Sequence, residues 1–386
     1  MPSHPTHVLL HTSAVHGVEG FAGSAIQCTW LEQWKQRTAS HPLLPGQIAV
    51  FVHAVNPHGF AWHRRWNPQN VDLNRNCLVM PGTSKEDTLE FKRLRVTADE
   101  DYLALDWMIN PATRISWGDC FLVKAAAAIA WYGMSRLKQA LVGGQYHKPD
   151  GLYFGGHELQ PELAHLLPEL QKLGISKDNP RLRQVLHIDV HSGLGPYGVD
   201  TLLVDSQEDA AAVRSIMGLT LSDAVLPSAK RRVQPPDAEA GIGYVTTGGF
   251  IDGVRSMATG AAPAAASPVA SSPKARARSA GRARGAAASA VKPDAAPAAR
   301  VLSVVQEFGT RPPVTVFQAM RAELAAYKQK PDLDLGSWER AAVLDAFYPQ
   351  EAAWQSEVFT RGMQLLQAFW KQTAVECEIN SDMQFS

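Results

Sequence analysis

The 386-residue chain is poor in cysteine: Cys28, Cys77, Cys120 and Cys377 are widely spread and form no CxxC pair. That excludes a disulfide framework or a structural zinc knuckle and fits a reducing compartment. Net charge is also missing, with 37 Lys and Arg against 37 Asp and Glu. No global field then draws the chain to nucleic acid or to an anionic membrane surface. No uncharged apolar run reaches about 18 residues, so no membrane span is expected. The opening MPSHPTHVLL has no basic stretch leading into a long apolar one. A signal peptide is therefore not expected, and the expected location is cytoplasmic.

What is present can bury a large core. Hydrophobic residues make up 45% and charged residues 19%, a globular composition. The length suits two or three domains, or one large α/β domain with insertions. One segment stands apart. Residues 258–300, beginning ATGAAPAAASPVASSPKARARSAGRARG, hold 19 Ala, five Pro and five Ser, with seven Lys or Arg against one Asp. Such a stretch buries too little apolar surface to offset its ordering entropy. It is expected to be a disordered basic insertion, either a plain solvated loop or an anion- or partner-binding arm. Residues 1–257 and 301–386 are expected to form a single catalytic domain around it.

Short β-branched runs alternate with helical patterns elsewhere. His7–Ser13, Gln47–Val55, Val185–Ser192, Thr201–Asp205 and Val301–Gly309 read as strands, and their continuous apolar character suits strands covered on both faces. Helices are expected over Phe21–Arg37, roughly Ala98–Val142, Pro161–Leu173, Val314–Lys328 and Ala352–Thr373. The stretch Cys77–Leu94 reads as a loop, and Gly336–Cys377 as amphipathic helices on the core or at a dimer contact. This alternation predicts an α/β fold, a three-layer α/β/α sandwich with a mixed central sheet.

Three patterns mislead. Gly193-Leu-Gly195-Pro-Tyr-Gly198 matches G-x-G-x-x-G, but Pro196 removes an amide and VDTLLVD downstream reads as a strand, not the helix a dinucleotide needs. His157-Glu158 lacks a histidine four residues after His157, so two imidazoles cannot share a helical face. Ser192 lacks the G-x-S-x-G elbow of a serine nucleophile.

The chemistry is carried by five elements, each weak alone. His16-Gly-Val-Glu19 follows the first strand, and a His and a Glu three apart can hold one metal from a tight turn. Val71-Asp-Leu-Asn-Arg-Asn76, preceded by Arg64-Arg65, offers planar guanidinium groups suited to a carboxylate. Asp189-Val-His191 ends a strand with an imidazole, and Asp189 is not expected to touch a metal directly. Tyr244-Val-Thr-Thr-Gly-Gly249-Phe-Ile-Asp252 is the fourth. Glu307 lies on an otherwise apolar strand, where partial desolvation would raise its pKa and suit a general base.

Taken in order, VHGVEGFAGSAIQ, NPHGFAWHRRWNPQNVDLNRN, GQYHKPDGLYFGG and IDVHSGLGPYG resemble the zinc carboxypeptidase family of metallopeptidases. The chain looks most like a bacterial subfamily of the DUF2817 type, from about His7 to about Thr310. The resemblance implies one zinc ion held by His16, Glu19 and His191, with a fourth position for water. It implies Glu307 as general base and then proton donor to the leaving amine. Arg64 matches the group that stabilises the oxyanion. Asn74 and Arg75 match the grip on a substrate carboxylate, and Tyr244 the mobile active-site tyrosine. Ile251 and Asp252 fall where the family lines its side-chain pocket. Tyr244 and Glu307 are 63 residues apart; without the 43 of the insertion the gap is close to that of the family.

The function implied is zinc-dependent hydrolysis of a C-terminal peptide or amide bond, on a substrate with a free carboxylate. An N-acyl amino acid deacylase would use the same metal site. From a different class, a metal- or partner-binding module without catalysis would use the basic insertion as its contact surface.

Overall fold

The computed structural model describes residues 4–37, 43–79, 91–94, 99–115, 119–220, 231–234, 246–261 and 298–382. Its centre is a six-stranded sheet. The strands are β1 (His7–Thr12), β2 (Gln47–Val52), β3 (Gln184–Gly193), β4 (Asp200–Leu203), β5 (Arg231–Gln234) and β6 (Arg300–Gly309). Their order across the sheet is β2-β1-β3-β6-β4-β5. The first four in that order run parallel, β4 is antiparallel to β6, and β5 is parallel to β4. The mixed sheet of the expected sandwich is thus present.

The helices are α1 (Gly20–Arg37), α2 (Pro57–Ala61), α3 (Glu100–Ile109), α4 (Phe121–Tyr132), α5 (Met134–Val142), α6 (Pro161–Lys172), α7 (Gln207–Met217), α8 (Phe250–Thr259), α9 (Pro313–Gln329), α10 (Trp338–Phe347) and α11 (Ala352–Asp382). In α1, Ala22, Ile26 and Trp30 recur every fourth residue and are buried with Leu186, Ile188 and Val190 of β3. Helices α7 and α11 cover the same face. The opposite face is covered by Leu163, Leu167 and Leu170 of α6 and Phe250, Val254 and Met257 of α8. Each large apolar side chain buried this way contributes about 1.5–3 kcal/mol. A third cluster joins α3, α4 and α5 to α9 and α10.

The expected helix over 98–142 is three helices in the structure. Asn110-Pro111 ends α3, because the residue before proline avoids the helical region. Gly133, at φ +77°, separates α4 from α5. Strand β5 and helices α2, α7 and α8 were not expected. Of the insertion, residues 258–261 close α8 and 298–300 lead into β6; 262–297 lie outside the described residues. Among the described residues, no helix is long and apolar enough to cross a membrane.

Candidate metal centre

Strands β1, β3 and β6 end at one edge of the sheet, where open α/β folds bind ligands. Beyond β1 the chain forms a tight turn, Gly17–Glu19, which docks on the segment carrying Arg64 and Arg65. The Gly17 amide donates to the Arg65 carbonyl at 3.1 Å and the Val18 amide to the Arg64 carbonyl at 2.8 Å. A Cβ on Gly17 would lie 2.1 Å from the Gly59 carbonyl carbon, so only glycine allows this approach.

That docking brings His16 and Glu19 to the end of β3. His16 Nδ1 lies 3.0 Å from Glu19 Oε1. His191 Nδ1 lies 3.1 Å from both His16 Nδ1 and Glu19 Oε2. One donor atom from each of the three falls within 4.8 Å of the others, and all three side chains are buried. Behind them stand two carboxylates. Asp189 Oδ2 lies 2.7 Å from His191 Nε2, and Asp72 Oδ1 lies 3.1 Å from His16 Nε2. His191 thus turns Nε2 to a carboxylate and Nδ1 toward Glu19, the arrangement that orients metal-binding histidines, while His16 Nε2 faces both Asp72 and the Arg65 guanidinium.

Electrostatics agree with a cation there. Burial opposes ionisation of Glu19, Asp72 and Asp189, yet neighbouring imidazoles, joined by Arg65 at Glu19 and Asp72 and by the Thr12 hydroxyl at Asp189, hold all three carboxyls below their usual range. His191 is raised well above the usual imidazole range: burial opposes its charge, but Asp189 and Glu19 flank it. A dication would displace that second proton. Two imidazoles and one carboxylate are also a donor set suited to zinc with an open position. The residues fit the metal that the resemblance implies.

The same cavity, of about 170 Å³, is lined by Glu307, Arg65, Asn74, Ile251 and Asp252 as well as the triad. Glu307 accepts the Leu194 amide at 2.8 Å. Burial, then the Glu19 charge, pushes its carboxyl up to about 7, with His191, the Leu194 amide and Arg65 opposing. Asn74 Oδ1 accepts the Phe250 amide at 2.8 Å, which ties the Leu73–Arg75 turn to the start of α8. Asp252 is raised by burial and by Asp205, which also lines the cavity; Arg255 opposes the shift and pairs with Asp205. At the end of β3, Gly193 has φ +132°, and a Cβ there would lie 2.9 Å from the Phe347 ring. The Ser192 hydroxyl donates to the Phe347 carbonyl at 2.6 Å, a packing role rather than a nucleophile's.

Two expectations change, those for Arg64 and Arg75. Arg64 does not line the cavity. It is fully buried, donates from Nε to Glu323 Oε1 at 2.8 Å, and stacks 3.2 Å from the Tyr327 ring centre. Arg65 is the arginine at the centre: Nη1 donates to Glu19 Oε1 at 2.9 Å, Nη2 lies 2.7 Å from His16 Nε2, and Asp72 accepts from the same guanidinium. Arg75 is turned away from the cavity and donates to the backbone carbonyls of Val142 and Asn74. Tyr244 lies outside the described residues.

Asp72 and Asp205 were not singled out from the sequence. Asp72 had a signal, standing two residues before Asn74 in one motif. Asp205 had none, because it follows a four-residue strand and reaches the cavity only through the sheet order.

A family model described as "Protein of unknown function (DUF2817)" matches residues 1–227 and 225–361. The chain belongs to that family. Among solved structures, this DUF2817 protein is similar to murein-tripeptide amidase MpaA from Escherichia coli O157, at TM-score 0.29 and 13% identity over 84% of this chain and 82% of that one. It is also similar to carboxypeptidase A from Helicoverpa armigera, at TM-score 0.32 and 11% identity over 88% and 60%. No curated protein matches the DUF2817 chain.

Proposed function

We propose that this chain is a zinc-dependent hydrolase of the metallocarboxypeptidase type, cleaving a C-terminal peptide or amide bond. The observation that carries the reading is the convergence of His16, Glu19 and His191 with Glu307 in one cavity. His16, Glu19 and His191 would hold the ion. Zinc bound there would supply a Lewis acid beside the scissile carbonyl and lower the pKa of water. Glu307 would take a proton from the attacking water and pass it to the leaving amine, a task suited to a carboxyl near 7. Arg65 would place its positive charge beside the oxygen that becomes negative. Asn74, Ile251 and Asp252 would contact the substrate side chain or carboxylate.

The first experiment is elemental analysis of the purified protein beside the His16→Ala/Glu19→Ala double variant. About one zinc per chain, lost in the variant, supports the reading. Folded protein that takes up no metal even when zinc is offered would sink it. A panel of C-terminal dipeptides and N-acyl amino acids then distinguishes peptidase from deacylase.

A further inference from the structure

We infer that Thr12 is a positioning residue for His191, acting through Asp189 as part of a hydrogen-bonded line His187–Thr12–Asp189–His191 beneath the metal centre. The inference rests on the proposed reading of His16, Glu19 and His191 as metal ligands, and extends it to three residues outside that ligand set: Thr12, His187 and Asp189. Thr12 and Asp189 are direct partners in the β1–β3 register. Alternation along β3 puts His187, Asp189 and His191 on one face. Thr12, His187 and Asp189 are fully buried and His191 nearly so; water does not compete for these bonds.

The proton inventory of this line leaves little freedom. Thr12 Oγ1 lies 2.6 Å from Asp189 Oδ1, 3.0 Å from His187 Nε2 and 3.4 Å from the Ile188 carbonyl. A hydroxyl has one proton to give, and a carboxylate at the shortest distance is its strongest acceptor. Thr12 therefore donates to Asp189 and accepts from His187 Nε2–H. In the other tautomer, two acceptors would share one hydroxyl proton and His187 Nδ1–H would need a partner, yet Nδ1 is buried without one. Asp189 is then gripped at both oxygens, Oδ1 by Thr12 and Oδ2 by His191 Nε2 at 2.7 Å. A carboxylate held at both ends cannot swing. It keeps the proton of His191 on Nε2 and aims the Nδ1 lone pair at Glu19 and His16. Without the Thr12 hydroxyl, Asp189 keeps one anchor and can rotate away.

The test uses Thr12→Val, which keeps the shape and removes the hydroxyl, and Thr12→Ser, which restores it. Zinc affinity is measured by chelator competition, and nitrogen NMR of the imidazoles reads the tautomers. Thr12→Val is expected to bind zinc about 10-fold more weakly, the low end for partners of metal ligands, with Thr12→Ser within about 2-fold of wild type. His187 in the wild type should carry its proton on Nε2. Folded Thr12→Val with wild-type zinc affinity would overturn the inference, and so would a wild-type His187 protonated on Nδ1. The His187 measurement decides even if the valine variant does not fold. If the wild type binds no zinc, the metal reading fails instead, and the His187 tautomer still tests the line of hydrogen bonds.

Discussion

His191 on β3 and Glu307 on β6 stand directly opposite each other in a parallel register. Partners on adjacent parallel strands project to the same face. One pairing therefore puts a candidate metal ligand and a candidate base side by side from segments 116 residues apart. The backbone amide of Leu194, just past the end of β3, then holds the Glu307 carboxylate in place.

Removing the Glu307 carboxyl separates base from ligand. Glu307→Gln is expected to keep zinc but lose about 10²–10⁴-fold in turnover. Its effect on stability has a definite sign. The folded-state pKa of about 7 lies above the usual 4.5, so the folded chain keeps a proton that the unfolded chain releases between those values. This contribution is full below pH 4.5 and is lost as pH rises through 7. In EDTA-treated protein, urea midpoints from pH 4.5 to 8 should fall less steeply in Glu307→Gln than in wild type.

The neighbouring arginines should behave differently. Arg65→Ala is expected to cost about 10²–10³-fold in kcat/KM, as for loss of a group facing an oxyanion. Arg64→Ala is expected to cost about 3 kcal/mol of stability, because it breaks a buried pair with Glu323. Arg340 also donates to that Glu323 oxygen and keeps the carboxylate partly paired. Kinetics and urea unfolding of both variants check the assignment. Rate loss confined to Arg64→Ala would return the oxyanion role to Arg64.

Arg75 has a similar test. Its guanidinium holds the Val142 carbonyl through two nitrogens, at 3.2 and 2.6 Å. Arg75→Ala is expected to destabilise the fold by about 2–4 kcal/mol, since buried acceptors lose charged donors. Any rise in KM should be the same for substrates with and without a free carboxylate. A rise confined to carboxylate substrates would show that Arg75 reaches the cavity when substrate binds.

Two buried histidines should limit acid tolerance. Burial lowers His11 to about 3 and His187 to about 4, with Asp189 opposing in both cases. Folded-state values below the usual 6.5 mean that the unfolded chain takes up protons first as pH falls. Their contribution is full above pH 6.5 and is lost as pH falls through 4 and then 3, on the order of 2 kcal/mol each by pH 4.5. Urea unfolding at pH 7 and 4.5 should show a smaller drop in His11→Asn than in wild type.

The sequence by itself determined the central strands, and the resemblance it carries named the candidate residues of the centre. Val8, Leu10, Val185 and Val301 belong to runs so apolar that only a sheet covered on both faces accommodates them, and β1, β3 and β6 lie within a residue or two of their expected places. Glu307 was legible because a carboxylate on an apolar strand is costly unless used or paired; His16, Glu19 and His191 were weak signals singly and stood out only through the family resemblance. The edge strand Arg231–Gln234 was not legible, since a short polar strand carries no burial pattern. Tertiary structure alone decided between Arg64 and Arg65. Neighbours in sequence leave the backbone in different directions, and only the docking of the Gly17–Glu19 turn and of α9 shows which guanidinium meets Glu19 and which meets Glu323. It also decided that Thr12 supports Asp189, because strand register, not sequence spacing, brings those two side chains together.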